Sequence, residues 1–192
     1  MIFEWRTYRF APGAAAAYLA TFQAEGLPLV TRHLPLLGYW LTECGRLNVL
    51  HHLWAYADLD DRAARRAALA ADADWSAGFG PRAFPMIERQ ESLLLVLRNG
   101  SLCLSEAIAT SRDPRAAVPG DAPPLSPSWA MIELSDDAPT TQGAAETTGL
   151  WQVVAGQRPA SHLALFHGGE AGDVTPSDRP ALLRPAAFSP LR

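Results

Sequence analysis

Polar and apolar residues alternate from Met1 to Phe10. Ile2, Glu4, Arg6, Tyr8 and Phe10 share one face, and Phe3, Trp5, Thr7 and Arg9 share the other. A period of two predicts a strand. Pro12-Gly13 breaks it. Ala14 to Glu25 is then rich in helix formers, with Tyr18, Leu19 and Phe22 at helical spacing. Gly26 and Pro28 are expected to kink or end that helix. Leu37 to Cys44 predicts a second strand and Val49 to Ala57 a third, joined in a hairpin by the short turn Gly45-Arg46-Leu47-Asn48.

Asp58 suits a helix N-cap, and Asp61 stands in the first turn. Asp58–Arg62 and Asp61–Arg65 are i,i+4 pairs, expected on a solvated helix face. Asp74-Trp75 opens a further helical piece that Pro81 is expected to close. Glu91 to Leu97 predicts a fourth strand. The order β-α-β-β-α-β is the ferredoxin-like pattern, an α+β fold with helices on one face of the sheet.

Asn99-Gly100 between apolar runs is a hairpin signal, so Ser101 to Ala109 is expected to return as an added strand beside the fourth. Asp113 to Ser128 holds five prolines and predicts a linker. Beyond it the chain echoes itself in shortened form. Trp129 to Leu134 is strand-like, and Pro139 to Glu146 is too short for a full helix. Gly149-Leu150-Trp151 echoes Gly38-Tyr39-Trp40, so that Gly156 falls on Gly45 and His162 on His51. Gly168 to Pro180 is expected to be a loop, and Arg184 to Arg192 an extended tail. The chain thus divides into a ferredoxin-like unit, 1–97, and a β-rich unit, 98–192, read as a degenerate repeat or an insertion.

Composition narrows the function. A net charge of −4 argues against a nucleic-acid surface. All 16 basic residues are Arg, spread along the chain without forming a stripe. Cys44 and Cys103 have no motif spacing, which argues against a disulfide framework or a zinc site. Glu4 and Arg6 interrupt the first apolar stretch, against a signal peptide, and the longest strongly apolar run, Leu93 to Leu97, is too short to span a bilayer. A cytoplasmic setting is expected, with no membrane partner.

Glu4-x-Arg6-x-Tyr8, Pro12-Gly13, Gly38-Tyr39-Trp40, Thr42-Glu43-x-Gly45-x-x-Asn48, His52-Leu53-Trp54-Ala55-Tyr56, Arg62, Arg65-Arg66, Trp75 and Gln90-Glu91-Ser92 together resemble the NIPSNAP family over roughly residues 1–96. The resemblance implies the dimeric α+β barrel superfamily, in which two ferredoxin-like sheets face each other. Two features depart from it. Short members run from the fourth strand directly into a tail like Leu183 to Pro190, whereas residues 98–182 intervene here. Longer members carry two full domains, whereas the second half here lacks helix-sized segments.

His51 and His52, as strand neighbours, point to opposite faces. One metal ion could not easily take both, and no third ligand stands at the required spacing, so no metal is expected. Leu50, His52, Trp54 and Tyr56 lie together, and so do Val49, His51, Leu53 and Ala55. The second set, more aliphatic, is expected to meet the helices; the first is expected to face the barrel interior with Glu4, Arg6 and Tyr8. Pairing across the turn brings Glu43 and Leu41 beside Leu50 and His52. The expected cavity then has His52 as proton carrier, Glu43 as its orienter and Arg6 as oxyanion donor. Glu4, Tyr8, Leu41, Trp54 and Tyr56 would line it around a small apolar or aromatic ligand.

A plainer reading has Glu4 and Arg6 satisfying each other at a sheet–sheet interface. Three functional classes remain open. One is an enzyme that needs no cofactor, acting in biosynthesis on an aromatic or polyketide-like molecule as superfamily members do. Another is a non-catalytic ligand-binding or interaction module. The last, implied by the superfamily alone, is haem binding through His52. The open face of a four-stranded sheet also predicts a homodimer or larger homo-oligomer, unless residues 129–167 cover it.

Overall fold

The computed structural model describes residues 1–119, 121–137, 146–167 and 181–192. The first half runs β1 (Ile2–Phe10), α1 (Ala14–Thr21), α2 (Leu27–Val30), β2 (Leu36–Cys44), β3 (Val49–Tyr56), α3 (Leu59–Ala71), α4 (Gly80–Ala83), β4 (Ile87–Gly100). Its strands stand in the order β4-β1-β3-β2, all antiparallel. The second half adds α5 (Leu102–Ala109), β5 (Ala130–Ser135), β6 (Glu146–Ala155), β7 (His162–His167) and β8 (Ala181–Pro185). Its strands stand in the order β8-β5-β7-β6. Pairing of β2 with β8 and of β4 with β6 closes all eight strands into one barrel within the chain. The sheet face on which the expectation of a homo-oligomer rested is therefore covered by β5–β8.

Two cores result. Inside the barrel, Phe3, Trp5, Trp40, Leu53 and Leu95 meet Trp151, Val153, Leu163 and Leu183. An eight-stranded barrel is just wide enough for its side chains to fill. Its widest rings need room, and two glycines provide it. A Cβ on Gly38 would lie 1.9 Å from the Trp40 ring, and one on Gly149 2.2 Å from the Trp151 ring. Outside the first half-barrel, Tyr8, Phe10, Leu50, Trp54 and Tyr56 pack under Tyr18, Leu19, Phe22 and Phe79 of the helical layer.

Pro81 does not close its helical piece as expected, and at Gly26 and Pro28, where a kink or an end was expected, the helix does not end. A π-turn over Phe22–Gly26 leads into α2, and another over Asp74–Phe79 leads into α4. In each case the proline takes an early position of a new α segment, where its missing N–H costs nothing. Asp58 caps α3, its carboxylate accepting from the Asp61 N–H at 2.8 Å, and Arg65 pairs with Asp61 at 2.7 Å. Arg62 does not pair with Asp58; it turns inward to Glu4.

The added strand expected over Ser101–Ala109 is a helix instead. β4 continues through Asn99-Gly100, and Ser101 caps α5 by accepting the Leu104 N–H. The hairpin signal loses because β4 already has partners on both sides, β1 and β6. β4 thereby crosses from the first unit into the second. The tail beyond β8 folds back on β2: the Ala186 N–H donates to the Tyr39 carbonyl, the Leu191 N–H to the Leu37 carbonyl, and the Tyr39 N–H to Ser189 Oγ. The expectations for Pro139 to Glu146 and Gly168 to Pro180 concern segments that lie outside the described residues, apart from Glu146 at the start of β6. Among the described residues, no helix is long and apolar enough to cross a membrane.

Candidate functional site

The strand faces sort the residues as alternation predicts but point the opposite way. Glu4, Arg6, Tyr8, His52, Trp54 and Tyr56 do share one face. That face meets the helices, while His51 faces the barrel interior beside Trp5, the two rings 5.3 Å apart. The physical reason lies in the helical layer. It supplies Arg62 and Arg66, which need a carboxylate, and Tyr18, Phe22 and Phe79, which need flat partners. The barrel interior instead takes the indoles of Trp5, Trp40 and Trp151.

Glu43 does not join this set. It is exposed near the β2–β3 turn, and the residue across from His52 is Tyr39. Leu41 pairs with Leu50 and packs at the edge of the helix-side core. Glu4 is fully buried and accepts from Arg62 at 2.8 Å, Arg66 at 2.7 Å and Ser92 Oγ at 2.7 Å, with Arg6 at 3.8 Å. Burial pushes its carboxyl up, but the bonds and charges of the arginines and Ser92 win and hold it near 2.

His52 stacks on Tyr39 at 4.9 Å and meets the Tyr8 ring edge-on at 4.6 Å. The Trp54 indole N–H donates to its Nδ1 at 2.6 Å. Burial, then the charges of Arg6 and Arg66, keep the imidazole neutral. The space beside it is about 40 Å³, enough for a water and far too small for a porphyrin. The haem alternative therefore does not fit His52. Among the described residues no group of three His, Cys, Asp or Glu side chains could hold a metal ion.

The larger cavity, about 560 Å³, opens at the barrel end that carries the β2–β3 and β6–β7 turns. Its walls include Trp5, Leu93, Ile132, Leu134 and Leu163, and its polar floor is His51. Thr7 Oγ1 bonds His51 Nδ1 at 3.1 Å and Thr42 Oγ1 bonds Nε2 at 3.2 Å. Burial pushes this imidazole down to about 3, so it too is neutral. Because each threonine hydroxyl can donate or accept, either tautomer is satisfied. At the mouth, Arg158 is tied to Asp136 and Arg89 to Glu91, but Arg46 has no ion pair among the described residues. Sequence reasoning placed His51 under the helices and passed over Arg46. The available signal was the i,i+4 pair Arg62 and Arg66, whose inward face demands an acid on the strand face beneath it.

An eight-stranded antiparallel barrel with a helical layer over one half defines a single-chain α+β barrel protein with a small-molecule-sized cavity at one end. The chain belongs to the NIPSNAP family, whose model matches residues 3–101. It is similar to protein NipSnap homolog 3A of Homo sapiens, 34% identical over 98 residues, which is 50% of this chain and 39% of that protein. The chain thus spans well under half the length of such curated relatives. A NIPSNAP family protein from Agrobacterium tumefaciens is 39% identical, with 53% of this chain and 96% of that chain covered at a TM-score of 0.50. An anthrone oxidase-like protein, only 7% identical, covers 97% of this chain and 91% of its own at a TM-score of 0.56. That last likeness is one of fold alone, and it extends over both halves.

Proposed function

We propose that the chain binds a small, flat, partly apolar molecule bearing an anionic group in the barrel-end cavity, without a cofactor. The make-up of that cavity supports the reading most. Its volume is that of small-molecule sites, mostly apolar with a few placed polar groups. Trp5 offers a face for stacking. Arg46 offers a guanidinium without an ion pair among the described residues, suited to a carboxylate or phenolate. His51, neutral and held at both ring nitrogens by Thr7 and Thr42, offers its flat ring beside Trp5 at the floor. An imidazole held near 3 takes no proton at neutral pH, which favours recognition over acid–base catalysis. The functional histidine in this reading is His51 rather than His52.

Calorimetric titration of the protein with 2-naphthoate, as a probe of this shape and charge, tests it. Saturable binding is expected, weakened at least tenfold, about 1.4 kcal/mol, in Arg46→Gln and again in His51→Leu. No saturation at millimolar probe, or equal affinity in both variants, would overturn the proposal.

The second half reads as a shortened copy of the first. The two half-sheets have equivalent strand orders. Gly45 and Gly156 both open their hairpin turns with φ near +112° and +113°. Trp40 and Trp151 each follow a glycine by two residues. The copies differ by one residue in the hairpin: Trp40 faces His51, but Trp151 faces Leu163, with His162 one place along. If the halves are equivalent, Gly38→Ala and Gly149→Ala each cost about 1–3 kcal/mol by overpacking against their indoles. A harmless Gly149→Ala beside a costly Gly38→Ala, in urea melts, would count against equivalence.

A further inference from the structure

The pocket between the sheet and the helices is separate from the barrel-end cavity, with the sheet itself lying between them. It is lined by Arg6, Tyr8, Tyr18, Tyr39, His52 and Arg66 against an apolar background. Its polar atoms have one chemical character. The indole N–H of Trp54 can only donate, so His52 Nδ1 accepts and carries no proton. In the neutral imidazole the proton then sits on Nε2. That N–H is buried and has no hydrogen-bond partner among the described residues, and the same is true of the Tyr39 hydroxyl and Arg6 Nε. His52 is 3% exposed and Tyr39 1%. The Tyr18 hydroxyl is close enough to interact with the Tyr39 hydroxyl, but no hydrogen bond of ordinary distance and angle joins them.

Buried donors left unmet are costly, so three around one small space call for an occupant. The charges decide what kind. Arg6, Arg62 and Arg66 surround a single carboxylate, Glu4. Their surplus is positive, and Glu4 is already saturated by Arg62, Arg66 and Ser92. A cation is repelled. A water could give its hydrogens to the tyrosine oxygens, but it would leave the positive surplus unanswered. About 40 Å³ leaves room for one water-sized or halide-sized group.

We propose that this pocket binds a single small monovalent anion of halide size, held by the His52 Nε2–H, the Tyr39 hydroxyl and the Arg6 guanidinium. Arg6 and Arg66 keep part of their side chains in solvent, which gives the pocket an edge for entry. The neutral His52 fits this role, because it donates a hydrogen bond without needing to take up a proton. Occupation would also bridge β1, β2 and β3 at the point where the helices rest on them.

Crystals of the full chain grown or soaked in sodium bromide give the direct test. An anomalous peak is expected within hydrogen-bond distance of His52 Nε2 and Tyr39 Oη. The peak should vanish in Arg6→Gln and weaken in Tyr39→Phe, both of which keep the shape of the pocket. In solution, bromide NMR line broadening should show a saturable site whose affinity falls at least tenfold in Arg6→Gln. A peak of water height without anomalous signal, or a bromide peak undiminished in Arg6→Gln, would overturn the proposal. Because the Proposed function uses none of these residues, naphthoate binding can persist or fail independently of this result.

Discussion

Glu4→Gln should destabilise the protein by about 3–5 kcal/mol, the usual cost of removing one partner from a buried charge network. The variant leaves Arg62 and Arg66 facing a neutral amide at a position with no exposure to solvent. The pH dependence gives a second signature. The Glu4 carboxyl is held near 2 in the native protein, below its ordinary 4.5. Between those values the unfolded chain binds the proton and the native chain does not. Stability from this group is therefore complete above about 4.5 and lost as pH falls toward 2, a span worth roughly 3 kcal/mol.

Three histidines add a slope at higher pH in the same direction. Burial pushes His51 down to about 3, His167 to about 4 and His52 well below its ordinary 6.5. All three stay neutral in the native state where the unfolded chain is protonated, below about 6.5, so acid weakens the fold from there downward. Urea melts from pH 7 to pH 3 should show both slopes in the wild type. In Glu4→Gln the slope below pH 4.5 should shrink by the share of Glu4, leaving that of the histidines and of the paired carboxylates Glu25, Asp61 and Asp72. An unchanged profile below pH 4.5 in the variant would contradict the assignment of Glu4 as the buried anion.

Alternation made the strand residues legible, and hence the grouping of Glu4, Arg6, Tyr8, His52, Trp54 and Tyr56 on one face. It could not say which face points inward, because a period of two is symmetric between the two sides of a sheet. The choice fell to composition, and composition misled. The aliphatic set Val49, Leu53 and Ala55 suited a helix-packed face, yet it lines the barrel because bulky indoles from β1, β2 and β6 already fill that interior. Glu43 was misplaced for a related reason. The register that runs unbroken from Leu41↔Leu50 to Gly38↔Leu53 sets Tyr39, not an acid, across from His52. The closing of the barrel within one chain was partly legible in the Gly-x-Trp echo. The strand expected over 101–109 was not recoverable locally, since the Asn99-Gly100 signal gives way to the pairing of β4 with β6.

Trp151→Ala should cost about 3 kcal/mol, toward the lower end of the 3–5 usual for a buried tryptophan. Trp151 is fully buried and meets Phe3 edge-on at 5.9 Å, so the substitution opens a void where the two half-barrels touch. The indole N–H has no partner among the described residues, so deleting it removes a small penalty and offsets part of the loss. The more telling consequence is where the loss is felt. The interior core draws Phe3, Trp5, Leu53 and Leu95 from the first half and Trp151, Val153, Leu163 and Leu183 from the second. A single core unfolds cooperatively. Hydrogen exchange at the amides of β1 and β3 should therefore accelerate in Trp151→Ala by the same factor as at those of β6 and β7. If β1 and β3 kept wild-type protection while β6 and β7 lost theirs, the halves would be separate folding units, and the barrel a docking of two domains rather than one shared core.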